Sequence, residues 1–222
     1  SVAGLDVIRE PLIEIIKVIN YVFQNPDEQL FSESVWNEVS FGLKQLGYSD
    51  DEIEQETSKI LKILGLEPYK DTFPSLLPVH LRKRVALASV MILKPSILVI
   101  DEPTTGLDEL EIMRIMDLMS SRVREGTLKA LIVITHDMDT VAKYCDKVIV
   151  MHQGVIKLKG TPEEVFSRID ELRRISIMPP QVTLLAKLVE RYGIPLDVIR
   201  VEDLIEFFDE LLEMYPLNKE EV

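Results

Sequence analysis

Ile97-Leu98-Val99-Ile100-Asp101-Glu102-Pro103 is the stretch whose reading decides the fold. Four consecutive apolar residues, three of them β-branched, read as a strand buried on both faces, and such strands belong to parallel sheets covered by helices. Leu131-Ile132-Val133-Ile134 reads as a second strand of the same kind. Between the two, Asp108 to Arg124 carries Leu110, Met113, Ile115, Met116, Leu118 and Met119 near helical spacing, which predicts a crossover helix. Two carboxylates stand directly after the first strand, at the carboxyl edge where open α/β sheets hold ligands.

That placement suits Asp101 to bind Mg²⁺, directly or through water, and Glu102 to accept a proton from an attacking water. A helix-capping acidic turn is the competing structural reading of a bare Asp-Glu pair. Downstream, Lys147 to Met151 and Val155 to Leu158 flank His152-Gln153-Gly154 and read as a hairpin. Upstream, Ser49-Asp50-Asp51-Glu52 forms a capping box ahead of Ile53, Ile60, Leu61 and Leu64 on one helical face, with Gly65 as the stop. With Val35 to Leu46 and Val85 to Leu93 this makes a helical insert at about 33–93. After Gly160, Pro162 starts a helix and Pro179-Pro180 breaks the chain. Two amphipathic helices are then expected, Gln181 to Tyr192 and Val201 to Tyr215. The last has Leu204, Ile205, Phe208, Leu211 and Leu212 on one side, a face that must bury against its own domain or a partner.

The 222 residues are enough for one sizeable α/β domain with a small appendage. A net charge of −13 argues against a nucleic-acid surface, because Arg82, Lys83 and Arg84 are the only basic run, expected to open a helix. The uncharged stretch Val85 to Leu93 is half the roughly 20 residues that a membrane-spanning helix needs. No cleavable leader is expected, and the single Cys145 fits a reducing cytosol, as a buried thiol rather than a nucleophile.

Taken together, Asp101-Glu102-Pro103-Thr104-Thr105-Gly106-Leu107-Asp108 and Thr135-His136-Asp137 resemble the Walker B, D-loop and switch-histidine segments of ABC-type ATPases. Tyr21-Val22-Phe23-Gln24-Asn25-Pro26 resembles the Q-loop of that family, and Leu30 to Val35 continue the likeness. The resemblance covers residues 4 to 160. It implies a P-loop NTPase-like α/β fold that binds ATP and Mg²⁺, with an ATPase domain at 1–160 and an extension at 161–222 that pairs subunits. It implies that Asp101 binds Mg²⁺, Glu102 is the catalytic base and His136 contacts the γ-phosphate and water. Gln24 would reach the metal and sit where the insert meets a transmembrane subunit, while Asp108 would touch the opposite subunit of an ATPase dimer, homo- or heteromeric. Phe23 to Phe31, Pro179-Pro180-Gln181-Val182 and Gly193-Ile194-Pro195-Leu196 most resemble the ATPase subunits of cobalt, nickel and vitamin importers of the energy-coupling-factor type. Such a subunit lies peripherally on the cytoplasmic face of the membrane. A soluble ABC ATPase and a non-catalytic partner subunit are the alternatives.

Two departures stand out. None of the nine glycines precedes a Lys, so G-x-x-x-x-G-K-[ST] is absent from these residues, and as written the chain is not expected to hold ATP tightly or to be active. The signature Leu-Ser-Gly-Gly-Gln is also absent. Either Leu77-Pro78-Val79-His80-Leu81 replaces it, or Ser-Gly-Gly-Gln is missing between Leu81 and Arg82. The second is the expectation, and it predicts a chain break there. One side of the sheet beside the strand bearing Asp101 is also expected to be exposed, or occupied by something that residues 1 to 20 do not explain.

Overall fold

A computed structural model describes residues 1–195 and 197–214. In chain order the elements are α1 (Leu12–Ile16), β1 (Ile19–Val22), α2 (Val35–Gln45), α3 (Asp50–Ile63), α4 (Val79–Met91), β2 (Ile97–Asp101), α5 (Glu109–Arg124) and β3 (Ala130–Ile134). There follow α6 (Met138–Tyr144), β4 (Val148–His152), β5 (Val155–Gly160), α7 (Pro162–Phe166), α8 (Ile169–Arg174), α9 (Gln181–Val189) and α10 (Val201–Met214). Leu196 and Tyr215, both within the tail pattern of the sequence, lie outside the described residues, as does the side chain of Leu211.

The chain divides into two compact units, Ser1–Thr135 and His136–Val222. In the first, β1, β2 and β3 form a parallel sheet in that order, with Val22 opposite Ile100 and Ile100 opposite Val133. The strand bearing Asp101 therefore has neighbours on both sides: the side expected to be exposed, or filled by something that residues 1 to 20 do not explain, is occupied by β1, which begins at Ile19 and ends at Val22. Among the described residues β1 and β3 are the edges of this sheet, and on β3 the side chains of Ile132 and Ile134 are exposed. The strand β1 is not evident in the sequence, because Asn20 and Tyr21 interrupt the kind of apolar run that marks β2.

The helical insert packs as expected. Ser49 and Glu52 close the capping box of α3, and Gly65 ends that helix at φ +66, a left-handed conformation that a side chain would strain. Ile53, Ile60, Leu61 and Leu64 are all buried. Gly42 lets α2 approach the end of α4, since a Cβ there would meet Leu93 Cδ2 at 2.7 Å.

The helix α4 is apolar on most of its circumference, as a helix enclosed by the fold must be, with Leu81, Val85, Ala86, Leu87, Ala88 and Val90 buried. It starts at Val79, earlier than the basic run, and no break separates Leu81 from Arg82. Both backbone N–H groups donate to Pro78 O at 3.0 Å, and Leu81, Val85 and Ala88 keep one helical phase into the core. The expectation of a chain break at that bond is corrected.

In the second unit β4 and β5 form an antiparallel hairpin, with a register shift at Val150/Met151. Val150, Leu158, Val165, Phe166, Leu172 and Ile199 share one core. A smaller core of Val182, Ala186, Ile194, Val198 and Leu204 joins α9 to α10, pinned by the buried Thr183 Oγ1 donating to Val198 O at 2.9 Å. No described helix is long and apolar enough to cross a membrane.

Candidate active site

Strand β2 delivers Asp101 and Glu102, both half-buried, to the carboxyl edge of the sheet. The Glu102 N–H donates to Ile134 O at 2.8 Å, adding one rung beyond the strand. Glu102 itself adopts φ +46, a region that costs a side-chain-bearing residue on the order of 1–3 kcal/mol unless the surroundings hold it. They do. Lys83, reaching across from α4, donates through Nζ to Glu102 O at 3.0 Å and to Pro103 O at 3.4 Å. The Glu102 carboxylate accepts from Thr105 Oγ1 at 3.3 Å, with Thr135 Oγ1 at 3.5 Å.

Lys83 is a buried cation, and burial pushes its ammonium below the usual lysine value, opposed by the charge of Glu102. Asp101 Oδ2 accepts from Tyr21 O–H at 2.6 Å. That hydrogen bond, followed by burial and the charge of Asp101, holds the phenol above its ordinary value, so Tyr21 remains a donor. Sequence reasoning misses Tyr21 and Lys83. A tyrosine in a strand and a lysine in a basic run carry no local signal of what they will touch eighty and nineteen residues away.

Gln24 is exposed two residues beyond Val22, so the parallel register carries it to the same edge as Glu102. The loop that follows is fixed from two sides. Gln29 Nε2 donates to Ala86 O at 2.8 Å and its Oε1 accepts from Phe23 N–H at 3.3 Å, while the buried Glu38 accepts from Phe31 and Ser32 N–H at 2.9 and 2.7 Å. Asp108 is exposed and caps α5, accepting from Glu111 N–H at 2.9 Å. His136 opens the second unit, ahead of Asp137, which caps α6 by accepting from Thr140 N–H at 3.1 Å.

Arg82, Lys83 and Arg84, the basic run, all point to internal partners: Arg82 to Asp27 at 3.0 Å, Lys83 to the Glu102 turn, and Arg84 to both oxygens of Glu111. They form no basic stripe. Cys145 is half-buried rather than buried, and burial followed by the Asp146 charge raises its thiol above the usual range, as for an inert cysteine.

Among the described residues no cluster of three metal-ligating side chains exists. Mg²⁺ does not require one, since it is commonly held by one or two carboxylates together with phosphate oxygens and waters. A single carboxylate at a strand end, steadied by a phenol, fits that chemistry with Asp101 as the ligand.

A family profile described as ABC transporter matches residues 4–105. The energy-coupling factor transporter ATP-binding protein EcfA of Methanocaldococcus jannaschii is 37% identical over 183 residues, covering 82% of this chain and 65% of that protein. EcfA2 of Symbiobacterium thermophilum is 37% identical over 209 residues, covering 92% of this chain and 72% of that one. Among solved structures, cbiO1 from Clostridium perfringens, part of the ABC transporter complex cbiONQ, is 38% identical with a TM-score of 0.66, covering 82% of this chain and 72% of its own. The chain spans less than two thirds of the length of some relatives it matches, 65% for EcfA of Methanocaldococcus jannaschii and 32% for one from Methanosarcina mazei.

Proposed function

The chain belongs to the ABC transporter ATP-binding proteins, and from that premise we propose that it acts as the nucleotide-binding subunit of an energy-coupling-factor or cobalt-type importer. The observation that carries this reading is the strained Glu102, fixed by Ile134, Lys83 and two threonine hydroxyls directly after Asp101. Strain held by so many contacts is the mark of a residue whose position matters more than its comfort.

In this reading the chemistry is phosphoryl transfer to water, promoted by positioning and by charge stabilisation. Bound Mg²⁺ supplies charge neutralisation between the phosphates. Asp101, its carboxylate steadied by the Tyr21 hydroxyl, would hold that ion. Glu102 takes the proton of the attacking water, its carboxylate oriented by Thr105 and Thr135. Gln24 reaches the metal from the loop after β1 and faces a transmembrane subunit, His136 contacts the γ-phosphate and water, and Asp108 meets a second ATPase subunit. Residues 1–160 serve as the ATPase part and 161–222 as the pairing part. The chain sits at the cytoplasmic face of the membrane, carried by its transmembrane partner.

One observation favours a second reading. The unbroken α4 starts at Val79 after Pro78, with no side-chain cap and no glycine, so if this segment stands at the signature position it offers a helical first turn of Val79, His80 and Leu81 instead of a glycine turn. A subunit of this kind suits an asymmetric pair, in which a different ATPase provides the competent signature. Equilibrium dialysis of Mg·ATP against the polypeptide as the cell makes it separates the readings. Binding that Asp101→Asn weakens at least about tenfold supports the catalytic reading. No binding at all leaves the non-catalytic partner.

A further inference from the structure

Three consecutive residues of α4 reach three segments that carry candidate site residues. Arg82 pairs with Asp27 at 3.0 Å, in the loop that follows Gln24. Arg84 grips both oxygens of Glu111, whose own N–H is capped by Asp108. Between them, Lys83 Nζ donates to Glu102 O at 3.0 Å and Pro103 O at 3.4 Å. Successive residues of a helix point about 100° apart, so one turn of α4 serves three directions at once.

Two of these ties are ion pairs. The Lys83 tie is not, since both of its acceptors are backbone carbonyls of the turn after Asp101. The side chain is buried, and burial lowers its ammonium pKa. A methionine of similar length would fill the space without taking a charge out of water. What the ammonium adds is a fixed direction for those two carbonyls. The turn closes only loosely by itself, with Thr105 N–H reaching Glu102 O at 3.4 Å. Relaxing Glu102 from φ +46 to an ordinary negative φ would swing its carbonyl off Nζ and re-aim its carboxylate away from Thr105 and Thr135. We propose that Lys83 is a positioning residue for Glu102, holding the strained backbone of the base to α4 so that a displacement of this helix re-aims the carboxylate. The proposal rests on the reading of Glu102 as the catalytic base.

The test uses the assembled transporter, with the polypeptide as the cell makes it. Lys83→Met should lower kcat about tenfold or more and leave the Kd for Mg·ATP within about twofold, because a small misplacement of a reacting group costs at least that much in rate. Lys83→Arg, which keeps the cation and its donors, should recover most of the loss. In a chain already carrying Glu102→Gln, Lys83→Met should cost nothing further, since a residue that acts through the base then has nothing left to position. Amide hydrogen exchange gives a readout independent of turnover: the Glu102 N–H, bonded to Ile134 O, should exchange about tenfold faster in Lys83→Met, with Ile100 unaltered. An undiminished kcat in Lys83→Met, or a further loss in the Glu102→Gln chain, would overturn the proposal. If the unaltered protein hydrolyses no ATP, the catalytic reading of Glu102 falls, and exchange alone judges the tie: equal rates at Glu102 with and without the Lys83 ammonium would overturn it. Should Lys83→Met fail to fold by circular dichroism, Lys83→Gln, with a shorter uncharged arm, carries the same comparisons.

Discussion

At the residue scale, Glu102 joins two kinds of information. Its type and its place after Asp101 are legible in the sequence, because an apolar tetrad followed by two acids has few structural uses. Its conformation is not, because φ +46 is imposed by Ile134 O, Lys83 Nζ and the threonines, most of them distant in sequence. Glu102→Gln keeps every one of those backbone contacts and removes only the base. In an assembled transporter this variant should leave ATP binding intact and lower turnover at least about a hundredfold. Undiminished turnover would take Glu102 out of its role. A second residue-scale expectation concerns Glu111, whose carboxyl is held below the usual range first by hydrogen bonds from Arg84 and further by Arg114. A carboxyl with a depressed folded-state pKa adds stability that is present above the unfolded value of about 4.3 and is lost as pH falls through the folded value. Thermal melts should therefore show a steep loss below about pH 4.3. Glu111→Gln, which leaves the part-buried Arg84 without its anion, should cost about 3 kcal/mol at neutral pH and flatten the acid limb. An acid limb identical in both proteins would exclude Glu111 as its source.

At the element scale, periodicity locates α3, α5 and the hairpin to within a residue or two, since each has local signals: a capping box, an Asp cap, a turn. It places the start of α4 too late, because Pro78 and His80 do not look like the opening of a helix and the family likeness suggests an omission there. The tail shows the opposite limit. An amphipathic pattern says that a face is covered but not by what. Val182, Ala186 and Leu204 are covered within the unit, whereas Leu188, Ile205, Phe208 and Leu212 remain exposed. Local burial thus accounts for one side of these helices and leaves the other side open to a partner. Sedimentation velocity should show self-association of the intact ATPase that Leu188→Glu with Phe208→Glu weakens about tenfold or more, with the melting temperature unchanged because both side chains are exposed. A dimer constant insensitive to these charges would assign the exposed stripe to no ATPase contact.

At the scale of the whole molecule, composition by itself argues against a basic nucleic-acid surface, and the fold supplies the reason: each member of the single basic run is engaged inside the first unit. The division after Thr135 is not legible in the sequence. Thr135 and His136 are adjacent in one motif, and nothing in the residue types there marks a boundary between two sets of contacts.

The edge strand β3 has a practical consequence. Ala130–Ile134 offers a row of ladder donors and acceptors on its outer side among the described residues, flanked by exposed Ile132 and Ile134 and bearing no charge within the strand. Such a row is a template for any free strand, including the same segment of another molecule, and proteins ordinarily blunt it with lysine, proline or a bulge. This edge adds a short-range attraction that opposes the repulsion of the large negative charge, and salt screens that repulsion beyond about 10 Å. Ile132→Lys should raise the concentration at which light scattering first appears, and added salt should lower it for the unaltered chain. The handling of the protein, from expression temperature to the choice of buffer, turns on how long that edge stays unoccupied.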